Sequence, residues 1–321
     1  MDWQPTMSWK VAKQRASLLR DLRSFFDDKG IIEVDTPLLT NNTVTDVHLD
    51  AITATFDWSE TGSIKQYLQT SPEYAMKRLL ASGYQSIYQI CKSFRNESQG
   101  RYHNPEFTML EWYRIDYSMD ELIQEVAELL KVVLNVDDSD VRSYQSAFME
   151  ATRIDPLEAT QSQLTTFIEE NNKLEPWLVD SESIDILLQF IFCEFVEPII
   201  GQKQPCFIHS FPASQASLAT INDNDIRVAN RFECYFKGIE LANGFNELTD
   251  VDLQLSRFNK DNDERLRQKL SMRKIDQNFI SALTQGLPEC SGVALGVDRL
   301  LMLLLDVGNI EQVICFPNSR A

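Results

Sequence analysis

Two alternating segments on either side of one charged loop constrain this chain more than any other feature. In residues 86–96, Tyr88, Ile90 and Phe94 fall on one face and Gln89, Cys91, Ser93 and Arg95 on the other. In residues 107–114, Phe107, Met109, Glu111 and Tyr113 share a face. A period of two belongs to a β-strand, because successive side chains leave a pleated backbone on opposite sides. The intervening loop, residues 98–106, predicts an antiparallel hairpin with one side turned to a core and the other polar.

Around this hairpin the period changes. Residues 9–29 carry Val11, Leu18, Leu19, Leu22, Phe25 and Phe26 at the spacing of an amphipathic helix, and Gly30 supplies its stop. Residues 31–34 read as a short strand that Thr36-Pro37 ends at an edge or bend, since proline has no N–H for a ladder. Residues 119–201 turn helical and acidic, with Leu122, Val126, Leu129 and Leu130 at helical spacing and a polar break at 137–140. They are predicted as a helical insertion over about 118–201. Residues 231–236 and 239–248 flank Lys237-Gly238, a two-residue hairpin turn in which glycine takes the positive φ. Residues 292–306 begin with glycines and small side chains and run into six apolar residues at 300–305, a buried helix. Hairpin-connected strands with helices between them predict an α+β fold, an antiparallel sheet flanked by helices, in a single domain over residues 1–321.

With 321 residues and 43% hydrophobic content the chain can bury a large core. No window approaches the roughly 18 uninterrupted apolar residues of a membrane span, since even 292–305 is broken by Asp298 and Arg299, so no membrane partner is expected. The N-terminus turns charged early and has no apolar signal region, which predicts a cytoplasmic protein. Cys91, Cys193, Cys206, Cys234, Cys290 and Cys315 include no C-x-x-C pair and read as reduced thiols. His48, His103 and His209 lie too far apart in sequence to announce a metal site, which leaves carboxylates as ligands for a hard cation. The net charge of −18 opposes the phosphate contacts that dominate nucleic-acid binding, and argues against tRNA as the main partner.

Three constellations carry chemistry. Phe94-Arg95-Asn96-Glu97 and the run Arg101 to Phe107 gather two arginines, a histidine and an aromatic ring around one loop. Such a set can fork a phosphate and stack a base, or can be an ordinary charged hairpin. In Gly296-Val297-Asp298-Arg299 a charged pair interrupts an apolar stretch. Each charge needs a partner or a ligand, and a structural ion pair capping the helix satisfies the same rule. Glu233, Glu240 and Glu247, with Asn243 and Phe245, form the third. With Lys237-Gly238 as the turn, Glu233 faces Ala242 and lies diagonal to Glu240, roughly 7 Å away between backbones, close enough to share Mg²⁺. Strict alternation then sends Asn243, Phe245 and Glu247 to the other face, and a bulge near Ala242 or Gly244 would repair this. A solvent-facing acidic strand is the plainer alternative.

Taken in order, these stretches resemble the three motifs of the class II aminoacyl-tRNA synthetase catalytic domain, and within it the lysyl subgroup. Val34-Asp35-Thr36-Pro37 is similar to motif 1, Phe94-Arg95-Asn96-Glu97 with His103-Asn104-Pro105-Glu106-Phe107 to motif 2, and Gly296-Val297-Asp298-Arg299 to motif 3. The likeness spans nearly the whole chain. The resemblance implies ATP as co-substrate, with Arg95 on the α-phosphate, Phe107 and Arg299 about the adenine, Arg299 also at the γ-phosphate, and Glu97 and His103 completing the nucleotide site. It implies Mg²⁺ on Glu233 and Glu240, with Glu240 also in the ATP site, and a lysine-type pocket of Glu73, Glu111, Tyr113, Asn243, Phe245 and Glu247. It further implies a homodimer built on motif 1.

The departures bear on the acceptor. Lysyl-tRNA synthetases place an anticodon-binding OB domain before motif 1, whereas the motif 1 helix here begins near Trp9, which predicts a chain without that domain. Ser71 stands where the synthetases usually have alanine, and Ala294 where they have glycine, so both belong to the predicted substrate pocket. With Thr70-Ser71-Pro72-Glu73-Tyr74 and the stretch from Phe211 to Ala219, these features resemble the bacterial ligases that join (R)-β-lysine to elongation factor P. The resemblance implies elongation factor P as acceptor and (R)-β-lysine or lysine as the activated amino acid. A truncated lysyl-tRNA synthetase charging tRNA, an ammonia-dependent asparagine synthetase and a non-catalytic regulatory paralogue are the alternatives. The three pocket glutamates and the intact motif arginines weigh against the last two.

Overall fold

The structure is a computed structural model that describes residues 3–57, 62–179 and 183–321. The chain forms two compact units, one of Met1–Tyr117 with Leu248–Ala321 and one of Ser118–Glu247.

The first unit opens on α1 (Trp9–Asp27), whose N-terminus is capped by Ser8 accepting from the Val11 N–H at 3.3 Å. Leu18, Leu22 and Phe26 form its buried stripe, and Phe26 stacks on Tyr88 with ring centroids 4.3 Å apart. β1 (Ile32–Glu33) follows, then β2 (Leu39–Thr40), β3 (Thr53–Phe56) and β4 (Ile64–Leu68), the last three forming a small sheet in the order β2-β4-β3. α2 (Glu73–Ala81), β5 (Ile87–Phe94) and β6 (Glu106–Ile115) come next. β5 and β6 make the predicted antiparallel hairpin, with Gln89 opposite Glu111 and Ser93 opposite Phe107, while β1 runs parallel along β5 at the edge. The polar face of β5 is as deeply buried as the apolar one, with Gln89 at 1% and Ser93 at 0% exposure. Alternation here separates two interiors rather than core from solvent, so polarity alone marks the face that carries chemistry.

The second unit begins with α3 (Met119–Leu134), fixed by a capping box between Ser118 and Glu121. Leu122, Val126, Leu129 and Leu130 are all fully buried, as their spacing predicts. β7 (Asp140–Ser143), α4 (Tyr144–Thr152), α5 (Gln161–Glu170), α6 (Pro176–Val179) and α7 (Ile184–Ile191) follow, and a π-helical turn over Phe192–Val196 continues α7. Residues 180–182 of the predicted insertion lie outside the described residues. β7 is too short and polar to be read from alternation, and it is held by parallel pairing with β8 (Cys206–His209). β9 (Arg231–Phe236) and β10 (Ile239–Asn246) form the second predicted hairpin, and the strands of this unit run β10-β9-β8-β7. At its tip both Lys237 (φ 51°) and Gly238 (φ 72°) are left-handed, as a type I′ turn requires. Tyr144, Phe192, Phe211 and Tyr235 share the core behind β9.

The chain then returns to the first unit as α8 (Val251–Arg267), α9 (Gln277–Gly286), β11 (Cys290–Gly296) and α10 (Val297–Leu305). β11 lies antiparallel to β6, placing Ala294 opposite Glu111 and Gly292 opposite Tyr113, so the larger sheet here runs β1-β5-β6-β11. The stretch 292–306, expected to lead into a buried helix, begins as this strand and becomes helical only after Gly296. The helix buries one stripe rather than its whole circumference: Leu300, Leu301 and Met302 are buried, whereas Leu304 is 39% exposed.

Candidate active site

In the first unit, the end of β5 and the start of β6 bring the predicted nucleotide residues together. The Arg95 N–H donates to the Pro105 carbonyl at 2.9 Å, closing the hairpin base. Its guanidinium lies 5.1 Å from the centroid of the Phe107 ring, so a phosphate fork and a stacking face share one side of the hairpin. A tight turn in which Gly100 N–H donates to the His103 carbonyl at 3.0 Å presents His103 to solvent. The Nε2 of His103 lies 2.8 Å from Nη2 of Arg299, and because a guanidinium only donates, this ring nitrogen is the acceptor. Arg299 also donates through Nε to the Tyr102 carbonyl at 3.4 Å. Glu97 sits half-buried in the same loop.

The charged pair of motif 3 divides its roles. Asp298 turns inward, 2% exposed, and its oxygens accept from Nη1 of Arg15 and from the Thr108 N–H, each at 2.7 Å. Arg299 instead joins His103 and the Tyr102 carbonyl. Arg15 donates to Thr108 Oγ1 as well, at 2.7 Å, so it ties α1 to both β6 and α10. No apolar periodicity flags such a residue. Asp298→Ala is expected to lower unfolding stability by about 3–5 kcal/mol in urea titration, because it strands the Arg15 guanidinium and an amide in the interior.

Four of the predicted amino-acid residues of this unit, Ser71, Glu73, Glu111 and Tyr113, form one hydrogen-bonded chain. Ser71 Oγ accepts from the Glu73 N–H at 3.0 Å and donates to Glu111 Oε2 at 2.8 Å, while the Tyr113 hydroxyl donates to Glu111 Oε1 at 2.6 Å. Glu111 is 2% exposed. Burial first, and then the charge of Glu73, push its carboxyl up to about 7 against the pull of its two hydroxyl donors and of Lys77. Lys77, 1% exposed, donates to Glu73 Oε1 at 2.5 Å across one turn of α2. Its spacing from Glu73, four residues, is the sequence signal of this helical ion pair.

In the second unit the register corrects one expectation and satisfies another. Glu233 pairs with Asn243 and not with Ala242, which faces Cys234. The ladder slips between Glu240 and Ala242, leaving Leu241 as the extra residue of a bulge. With that slip Glu240, opposite Tyr235, shares a face with Glu233, Asn243 and Phe245, and Glu247 follows the strand end, bridged to Ala219. Arg231, which sequence reasoning passed over, organises this face. It pairs with Glu233, donates to Asn243 Oδ1 at 3.3 Å and to the Gln215 carbonyl at 2.7 Å, and lies 4.6 Å from the centroid of Phe211. The Tyr235 hydroxyl donates to the other oxygen of Glu233. Burial, with the charge of Glu240 beside it, raises the Glu233 carboxyl above the usual range despite Arg231. No group of three His, Cys, Asp or Glu side chains able to hold a metal exists among the described residues. Two carboxylates completed by phosphate oxygens and water are nevertheless a donor set that Mg²⁺ takes.

The model of the family of tRNA synthetases class II (D, K and N) matches residues 1–320. The chain belongs to this family. Among curated relatives of this class II synthetase-family chain, the elongation factor P--(R)-beta-lysine ligase of Sodalis glossinidius (strain morsitans) is 50% identical over 320 residues, 99% of this chain and 98% of that protein. The protein of the same name from Yersinia pestis (strain Pestoides F) is 51% identical over 320 residues, with the same coverage. The motif 1, 2 and 3 stretches all fall within the matched residues. No helix among the described residues is long and apolar enough to cross a membrane.

Proposed function

We propose that this chain is an AMP-forming ligase that activates (R)-β-lysine with ATP and passes the β-lysyl group to the ε-amino group of a lysine on elongation factor P. The observation that carries this reading is the end-to-end likeness, at about half identity, to relatives bearing that name. A local feature agrees with it. The two positions at which the chain departs from lysyl synthetases, Ser71 and Ala294, both meet Glu111, one by a hydrogen bond and one as its cross-strand neighbour. A change of substrate backbone would be felt at that carboxylate.

In the proposed reaction the amino-acid carboxylate attacks the α-phosphorus in line and pyrophosphate leaves. The acceptor amine then attacks the adenylate carbonyl and AMP leaves. Arg95 stabilises negative charge that builds on the α-phosphate, Phe107 and Arg299 sandwich the adenine, and His103 and Glu97 complete the nucleotide site. Glu111, Glu73 and Tyr113 receive ammonium groups, and Asn243, Phe245 and Glu247 match the remaining lysine-pocket positions that the resemblance implies. Glu233 and Glu240 would hold Mg²⁺, which supplies charge neutralisation at the phosphates. Glu240→Gln is expected to raise the Mg²⁺ concentration for half-maximal pyrophosphate exchange by about tenfold, roughly 1.4 kcal/mol of metal affinity, and an unchanged titration would remove the metal role.

The enzyme acts in the cytoplasm as a homodimer through its motif 1 segment. Trp9 on α1 and Ile32 on the edge strand β1, 78% and 67% exposed, support that surface. Intact mass of purified elongation factor P after incubation with the chain, ATP, Mg²⁺ and either α-lysine or (R)-β-lysine tests the whole reading. A lysyl increment larger with the β isomer is expected. Pyrophosphate exchange with no increment would redirect the search to another acceptor, tRNA first.

A further inference from the structure

α8 carries few apolar residues, yet Asn262 and Arg265 on it are each 3% exposed. Their partners are two loops of the same unit. Asn262 clasps the Arg273 peptide from both sides, donating to its carbonyl at 3.0 Å and accepting from its N–H at 2.7 Å. Arg265 donates to the Ser271 carbonyl and to the Asp46 carbonyl, each at 2.9 Å, and Asp261 accepts from Thr45 Oγ1 at 2.6 Å. One helix face therefore fixes both the 45–50 stretch and the 271–273 stretch.

These loops converge on a single point. Arg273, its side chain 9% exposed, pairs with Asp50. The second carboxylate oxygen of Asp50 accepts from Asn96 Nδ2 at 2.8 Å, and the Asp50 carbonyl accepts from the Asn96 N–H at 2.8 Å. Asn96 directly follows Arg95, whose own N–H is held by Pro105. The backbone on both sides of the Arg95 side chain is thus anchored, on one side by the hairpin and on the other by α8 through Arg273 and Asp50. The Arg273 side chain is nearly buried, while that of Asp50 is 46% exposed and Asn96 is exposed, so the chain of bonds is anchored at its inner end, and an apolar staple would hold a loop with fewer directional constraints. What the polar clamp adds is a fixed direction for one peptide plane.

We propose that Asp50, held by Arg273, is a positioning residue for adenylate formation: it fixes the Asn96 peptide and so aims Arg95 at the nucleotide. This rests on the reading of Arg95 as the phosphate-binding group. A displacement of about 1 Å in such a group can cost on the order of a hundredfold in rate, so the clamp should be visible in kinetics.

The test is amino-acid-dependent ATP–pyrophosphate exchange measured across ATP and amino-acid concentrations for Asp50→Ala, Asp50→Asn and, as a control, Arg95→Ala. Asp50→Ala is expected to raise KM for ATP by about tenfold and lower kcat, leaving KM for the amino acid near wild type. Asp50→Asn keeps one acceptor oxygen for Asn96 but loses the ion pair with Arg273, and should fall between. A purely structural role would reduce kcat through loss of active protein and leave both KM values alone. Wild-type KM for ATP in both Asp50 variants, with Arg95→Ala inactive, overturns the clamp and spares the function. Wild-type exchange in Arg95→Ala instead removes the reading on which the clamp rests. If Asp50→Ala does not fold, Asn96→Ala, which deletes only the side-chain bond, is held with Asp50→Asn to the same ATP criterion.

Discussion

Arg95→Ala is expected to lower kcat for pyrophosphate exchange by about 10²–10³, the loss typical when one preplaced donor to developing charge is removed. The geometry makes the residue a fixed cation rather than a mobile one. Its N–H is bonded to Pro105, its neighbour Asn96 to Asp50, and its guanidinium lies by the Phe107 ring. Little reorganisation is then needed when charge appears on the α-phosphate. Arg95→Lys should recover only part of the loss, because an ammonium is a point charge and cannot fork two oxygens. Thermal denaturation of both variants should stay near wild type, which separates a lost interaction from a lost fold. Exchange by Arg95→Ala at the wild-type rate would end the assignment.

Glu111→Gln is the second large effect, and it acts in opposite directions on activity and stability. Glu111 is buried, next to the charge of Glu73, and its carboxyl is pushed up to about 7 from the ordinary 4.5. A carboxyl whose folded pKa lies above its unfolded value binds its proton more tightly in the folded state, so stability falls as pH rises from about 4.5 to about 7. At about pH 8 the full penalty, on the order of 3 kcal/mol, is present in the ligand-free protein. Glutamine removes it while leaving an oxygen for Ser71 or Tyr113. The variant should therefore melt higher than wild type at about pH 8, with the difference shrinking towards about pH 5, and should lose amino-acid binding. Binding has the matching sign: only the carboxylate attracts an ammonium, so KM of the wild type for the amino acid should rise by about tenfold per pH unit below the pKa. A variant no more stable at high pH than at low, with normal KM, would place the substrate elsewhere.

Some of the site was legible because chemistry and periodicity agree there. Phe107 and Glu111 sit on one strand whose alternation predicts the face they share, and Arg95 continues the polar face of the strand that ends at Phe94. The hairpin at Lys237-Gly238 announces itself through glycine. Other parts were illegible for definite reasons. The Glu233 register depends on one extra residue, Leu241, and a bulge is decided by the whole sheet rather than by the strand's own sequence. The strand at Cys290–Gly296 has no breaker before its helix except Gly296, which also serves as the N-cap. Arg15, Lys77 and Arg231 are charged residues on elements whose apolar pattern ignores them; Lys77 and Arg231 pair with near neighbours in sequence, whereas the partner of Arg15, Asp298, is found only in the folded chain.

The sequence by itself determined the period of each long element, the position of the two hairpins, and the residue types able to bind phosphate and ammonium, because these follow from local sterics and from the chemistry of single side chains. Tertiary structure decided which charges meet. Asp298 is drawn to Arg15 and Arg299 to His103, although the two are adjacent in sequence. The Glu111 carboxyl is shifted by burial and by Glu73, and Arg95 is aimed through loops fixed on α8. Electrostatic energy depends on distance and on exclusion of water, and neither quantity exists until segments far apart in the chain are packed together.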